Sequence, residues 1–220
     1  MENKKKEKTK IDIILPNYNS SKFIIKTIKS ILHQTYKNWK LIIVDDCSDA
    51  KTRNILKKIS RKKNIKVFFL NKNHGAGFCR NFAIKNSNSP YLAFIDSDDI
   101  WKKDKLKKQI SFMKNNNFLF SYTNYETFGE KKRKINNPSN LDYIGFLRNT
   151  SIATSTMMIK RNIIGNIKFT ETKISKPPLQ QTTMNFETLD VSRMGHVVQV
   201  TLNRPRKGNA MNPQFWYVSL

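Results

Sequence analysis

Four short apolar runs, each followed at once by a polar cluster and then by a helical pattern, constrain this chain more than any other feature. The runs are Ile11 to Leu15, Leu41 to Val44, Val67 to Leu70 and Tyr91 to Ile95. Each is too short for a helix and reads as a buried strand. Pro16-Asn17-Tyr18-Asn19 closes the first. Ser20 or Ser21 then stands where a helix to Gln34 needs a cap, with Phe23, Ile24, Ile28, Ile31 and Leu32 on its apolar face. Asp45-Asp46-Cys47-Ser48-Asp49 closes the second run, before a basic helix to about Lys62 whose buried side is Ile55, Leu56 and Ile59. Asn71 to Gly77 closes the third, before a helix to Asn86. Asp96-Ser97-Asp98-Asp99 closes the fourth, before a helix from Lys102 to Asn115 and a further strand from Phe118 to Tyr122. Such alternation predicts an α/β fold with a doubly wound, mostly parallel sheet.

In a parallel sheet the strand C-termini share one edge, and ligands bind in the crevice beyond it. The four polar clusters are therefore expected to converge. Asp96, Asp98 and Asp99 repel one another unless a cation or strong donor sits among them, and close-spaced oxygen ligands suit Mg²⁺ or Mn²⁺. The competing reading is a solvated acidic turn ahead of a Lys-rich helix, since Asp is also a good cap. Three matching clusters at the other strand ends favour a binding site. Carboxylates with a divalent cation neutralise a diphosphate and stabilise it as a leaving group. Asp45 or Asp46 could accept hydrogen bonds from a base edge or ribose hydroxyl, Tyr18 could stack on a base, and Arg80 could hold a base carbonyl or a phosphate. Gly75 and Gly77 permit close backbone approach, while His74 reads as a turn residue.

Lys and Arg number 41 against 16 Asp and Glu, a formal charge of +25. That balance favours phosphate-bearing partners, an anionic membrane surface or nucleic acid. The Lys runs lie on helices with apolar opposite faces, and aromatics are not interleaved with them. Solvated helix surface accounts for them better than nucleic-acid binding does. Cys47 and Cys79 are too few for a disulfide framework, so a reducing cytoplasm is expected. No apolar run approaches the ~20 residues that cross a bilayer. Residues 1–10 are charged and lack the apolar stretch of a secretory signal, so they read as a basic tail.

Residues 11 to about 170 resemble the nucleotide-sugar-binding part of family 2 glycosyltransferases, which have a GT-A, Rossmann-like fold. The resemblance is carried by Ile13 to Asn19, Ser30 to Tyr36, Ile43 to Asp49, Asn73-His74-Gly75, Ala76 to Asn81 and Phe94 to Asp99. It implies an enzyme of polysaccharide biosynthesis that transfers a hexosyl group from a nucleotide-diphosphate donor, commonly a UDP-sugar. Transfer is by inverting displacement, with Mg²⁺ or Mn²⁺ at the aspartate motif. It also implies that Pro16, Tyr18, Asp46 and Arg80 line the nucleotide pocket. Asp96 and Asp98 would hold metal and donor, with Asp99 as the alternate. A glycan or lipid-linked acceptor and peripheral contact with the inner face of an anionic membrane follow by the same analogy. One departure is Cys47, where the family has Gly. A thiol side chain is expected there only if the backbone avoids positive φ, which predicts an altered turn.

In that family the acceptor's carboxylate base lies beyond a strand like Ala153 to Ile159 and a segment like Ile167 to Glu171. Here the chain changes character instead: after Lys176 come Pro177-Pro178 and a tail with four of the seven prolines and no Ile. Residues 171–185 read as a linker. Residues 186–220 resemble the opening of the crotonase (enoyl-CoA hydratase/isomerase) family, through Phe186 to Leu189, His196 to Pro205 and Gly208 to Asn212. That resemblance implies a first hairpin and a helix starting at Pro213, and carries over no catalytic residue. The expectation is thus an incomplete glycosyltransferase domain joined to a short hairpin/helix fragment, by fusion or gene-model splice. Donor binding is expected with feeble transfer, the general base being absent; Glu171 and Glu187 are stand-ins whose expected role is surface.

Overall fold

The structure, a computed structural model, describes residues 9–128, 132–137, 152–165, 168–169 and 171, and the strands 191–194, 197–201 and 214–218. The chain forms β1 (Ile11–Asn17), α1 (Ile24–Leu32), β2 (Trp39–Asp45), α2 (Ala50–Ile59), β3 (Ile65–Phe69), α3 (Ala76–Lys85), β4 (Tyr91–Phe94) and α4 (Lys105–Asn115). Short strands follow: β5 (Phe120–Ser121), β6 (Tyr125–Glu126), β7 (Lys134–Ile135) and β8 (Met158–Lys160). The main sheet runs in the order β3-β2-β1-β4-β8-β5. Its first four strands are parallel, and β8 is antiparallel to both β4 and β5. β6 and β7 pair apart from it.

Alternation of side chains along β1, β2 and β4 divides the interior in two. Ile11, Ile13, Leu15, Leu41, Ile43, Ala93 and Ile95 face α1, α2 and α4, where they meet Ile24, Ile28, Ile31, Leu56, Leu106, Ile110 and Met113. Ile14, Ile42, Val44, Leu92 and Phe94 face the other way and pack with Cys79 and Ala83 of α3. The chain therefore winds outward from β1 to β3 on one side, then crosses the other face to β4. The strand order reverses between β1 and β4, where a crevice must open. Pro16 widens it. Ile14 accepts from Ile95 N at 3.1 Å, so Pro16, two residues on, turns its missing N–H toward a side where pairing has already ended.

At the opposite edge Asp12, fully buried, accepts from Asn88 N at 2.9 Å and Ser89 N at 2.8 Å. Arg161, just past β8, reaches Asp12 at 3.9 Å and donates from Nε to Ser89 O at 2.7 Å. This knot ties β1, β4 and β8 together away from the crevice.

Several boundaries differ from expectation, each for a local reason. Neither Ser20 nor Ser21 caps α1 with its side chain. The Ser20 hydroxyl donates to Asn17 Oδ1 instead, and its carbonyl takes Phe23 N and Ile24 N, so a turn precedes the helix. α4 starts at Lys105 rather than Lys102 because Trp101 is pulled inward, donating from its backbone to Ser30 Oγ (3.1 Å) and from its indole to Ser155 O (2.8 Å). The expected strand over Ala153 to Ile159 is a 3-10 turn, Thr154–Thr156, followed by β8. In the tail, β9 (Val191–Met194), β10 (Val197–Thr201) and β11 (Gln214–Val218) form an antiparallel sheet ordered β11-β10-β9. The expected hairpin is there as β9 and β10, but the helix expected from Pro213 is replaced by β11. Phe215, Trp216, Tyr217 and Val218 are residue types that favour strands. Residues 1–8 of the basic tail, residues 172–190 with Glu187, and residues 202–213 lie outside the described ones.

Candidate functional site

The tips of β1 and β2 and the loop ahead of α3 are joined by hydrogen bonds between their polar clusters, and Arg80 of α3 links the tip of β4 to that helix. Asp45, fully buried at the end of β2, accepts from Asn17 Nδ2 at 2.8 Å and Ser48 N at 3.3 Å, with Arg53 Nε 3.7 Å away. Its work is to tie β2 to β1. Asp46 points the other way. Its carboxylate accepts from His74 N at 2.8 Å and Gly75 N at 2.7 Å, while its own N–H donates to Asn17 O at 2.8 Å. Gly75 needs its glycine there, since its φ is 90°. Asp46, 3% exposed, thus shapes the β3–α3 loop.

Cys47 lies between them with φ of 61°. The expectation of an altered turn is overturned: the left-handed conformation is kept although the side chain is not glycine. The thiol donates to Asn71 O at 3.4 Å. Tyr18, just beyond β1, is 54% exposed. Pro16 is buried within β1.

Arg80 reaches in from α3. It is 3% exposed, its Nη2 lies 2.6 Å from Asp96 Oδ1, and its guanidinium sits 5.3 Å over the Phe169 ring. Asp96 begins the turn after β4, and its N–H donates to Ser155 Oγ at 2.9 Å. The Ser155 hydroxyl in turn donates to Asp99 Oδ2. Thr27 of α1 braces the same turn by donating to Ser97 O at 2.9 Å. Burial pushes the Asp99 carboxyl up to about 6; the Asp96 and Asp98 charges add to the rise and the Ser155 hydroxyl opposes it. Asp98 is exposed.

The three carboxylates therefore do not form one cluster. Asp99 turns back onto Ser155, while Asp96 pairs with Arg80 and Asp98 is exposed. Among the described residues, no group of three or more His, Cys, Asp and Glu side chains is placed to hold a metal ion. Two carboxylates still suit a hard cation, because Mg²⁺ is usually held by one or two carboxylates together with substrate phosphates. The donor set thus fits a cation that arrives with a diphosphate, rather than one caged by the protein alone.

Sequence reading brought Tyr18, Asp46, Arg80, Asp96 and Asp98 to one edge, and they are there. It missed Ser155, Asn81 and Phe169. The visible signal for the first was Thr154-Ser155-Thr156, three hydroxyls within an otherwise apolar run. His74 stacks on Phe78 at 4.2 Å, in keeping with a turn residue.

Comparison with known proteins gives the same picture. The family model described as "Glycosyl transferase family 2" matches residues 12–174. TuaG of Bacillus subtilis (strain 168), assigned as a teichuronic acid biosynthesis glycosyltransferase, is 40% identical over 163 residues, covering 72% of this chain and 65% of TuaG. WfgD of Escherichia coli, a UDP-Glc:alpha-D-GlcNAc-diphosphoundecaprenol beta-1,3-glucosyltransferase, is 37% identical over 161 residues, covering 72% of this chain and 63% of WfgD. The chain thus spans just under two thirds of either relative. The crystal structure of S. aureus TarS 1-349 with UDP-GlcNAc superposes with a TM-score of 0.65 at 25% identity, over 76% of this chain and 50% of that one. The family match stops at residue 174.

Proposed function

The chain belongs to glycosyl transferase family 2, and from that premise we propose that it transfers a hexosyl group from a UDP-sugar to a lipid-linked glycan, by inverting displacement. The observation that carries the reading is the convergence at the β1/β4 crevice of Tyr18, the Asp46-shaped loop, and Asp96 paired with Arg80. The UDP-GlcNAc complex of TarS supports the choice of donor, and the diphosphoundecaprenol acceptor named for WfgD supports the choice of acceptor.

In this reading Tyr18 stacks on the base and Arg80 holds Asp96 oriented toward the donor. Asp96 and Asp98 would hold Mg²⁺ or Mn²⁺, and the cation, when bound, neutralises the diphosphate as it leaves. Asp99, held by Ser155, keeps the turn in shape and is the alternate ligand. A cytoplasmic protein resting on the inner face of the membrane fits this acceptor. The formal charge of +25 supports that placement by attraction to anionic lipid; among the described residues no helix is long and apolar enough to cross a membrane.

Thermal unfolding with UDP, GDP and CoA, each with and without Mn²⁺, tests the proposal. A ligand at a hundred times its dissociation constant stabilises by about 2.7 kcal/mol. UDP with Mn²⁺ is expected to raise the melting temperature, and Asp96→Ala with Asp98→Ala to abolish the rise. A rise that survives the double substitution removes those aspartates from metal binding. No response to either nucleotide removes the donor reading.

A further inference from the structure

Phe169 and Glu171 meet α3 from far along the chain, and the side chain of Asn81 fastens both. Asn81 Nδ2 donates to Phe169 O at 2.8 Å and to Glu171 Oε1 at 2.7 Å, and Phe169 N donates back to Asn81 Oδ1 at 2.7 Å. The Asn81 amide thereby engages both backbone groups of Phe169, as a neighbouring strand would. The fastened ring lies 5.4 Å from Phe94 at an angle of 61°, and the Arg80 guanidinium stands 5.3 Å from its centroid. The same guanidinium pairs with Asp96 at 2.6 Å.

Arg80 has a long stem with many rotamers, and its planar fork is useful only when aimed. Asp96 is partly exposed and is a candidate ligand for the arriving diphosphate and cation. We propose that Phe169, held by Asn81, is a positioning residue: its ring fixes the Arg80 fork on Asp96 and so sets the carboxylate for the donor. This rests on the reading that Asp96 takes part in donor binding. Phe169 itself touches neither donor nor reacting atoms in the scheme. It acts through Arg80.

The test replaces the ring without emptying its space. Phe169→Met keeps apolar volume but removes the π face, Phe169→Tyr keeps the face, and Asn81→Ala releases the segment with the ring intact. UDP affinity with Mn²⁺, measured by calorimetry, is expected to fall roughly tenfold in Phe169→Met, the scale of a desolvated cation–π contact. It should stay near the native value in Phe169→Tyr and fall in Asn81→Ala. In an Arg80→Gln background, which has no cation for the ring to hold, Phe169→Met should cost nothing further, since the two act as one unit. Without nucleotide, NMR of the Arg80 guanidinium should show hindered rotation in the native protein and averaging in Phe169→Met. An equal loss of affinity in the Arg80→Gln background would overturn the proposal, as would Arg80 signals that ignore Phe169→Met. Averaged Arg80 signals in a protein that never binds UDP would uphold the positioning role and sink the donor reading instead.

Discussion

Two residues carry conformational or electrostatic costs that substitution can expose. Cys47 holds a left-handed backbone, φ 61°, where an L side chain crowds the following carbonyl. That conformation costs about 1–2 kcal/mol, and a weak thiol donation to Asn71 O recovers little of it. Cys47→Gly is expected to stabilise the fold by about 1 kcal/mol in urea unfolding. Lys105 is the second. Its amine is buried without a hydrogen-bond acceptor, 4.0 Å above the Trp101 ring. Burial lowers its pKa from 10.5 to about 7. Between those values the unfolded chain keeps the proton and the folded chain does not, so folding releases it and stability rises with pH through that window. Below the folded value both states are protonated and the slope vanishes. Lys105→Met should flatten the rise and lift the melting temperature at neutral pH. A slope unchanged in Lys105→Met would assign it to other groups.

At the scale of elements, the loops are held more tightly than their composition suggests. Asp46→Ala strands the His74 and Gly75 amides and should cost about 1–3 kcal/mol, with faster amide exchange at both positions. Ser155→Ala removes the hydroxyl donor of Asp99, so its carboxyl should titrate above about 6 in carbon-detected NMR. The parallel strands and the helices between them were legible because apolar periodicity is local: Ile11 to Leu15 announces a buried strand without help from elsewhere. The gathering of polar clusters at one edge followed from topology. What sequence could not show was which groups those polar residues satisfy. Asp45 serves the strand tips themselves, Asp99 folds back onto Ser155, and Ser20 serves Asn17 rather than α1. Asn81 and Phe169 meet across 88 residues, a contact no window of sequence reveals. After Pro213 the residues favour strand, and β11 forms where the resemblance implies a helix.

Over the whole molecule, the sheet keeps its polar clusters and the Asp12–Arg161 anchorage at opposite edges. Asp12 and Arg161 fasten the edge away from the crevice. Arg161→Leu leaves the buried Asp12 carboxylate short of its cation and should lower stability by about 1–3 kcal/mol. UDP affinity should be unchanged; weaker binding would mean that strain at one edge reaches the other. The division of the interior into two apolar layers also bears on how the gene can vary. β1 commits Ile11, Ile13 and Leu15 to one layer and Ile14 to the other. Losing or gaining one codon there would exchange the two sets and wreck both at once. Codons can come and go in the exposed connection at 60–64, which enters β3 from the anchored edge, but not at 33–38, where the buried Gln34 donates to Lys102 O and accepts from Leu106 N. Relatives of different size should therefore differ at the first connection, and not along the spine that all four parallel strands share.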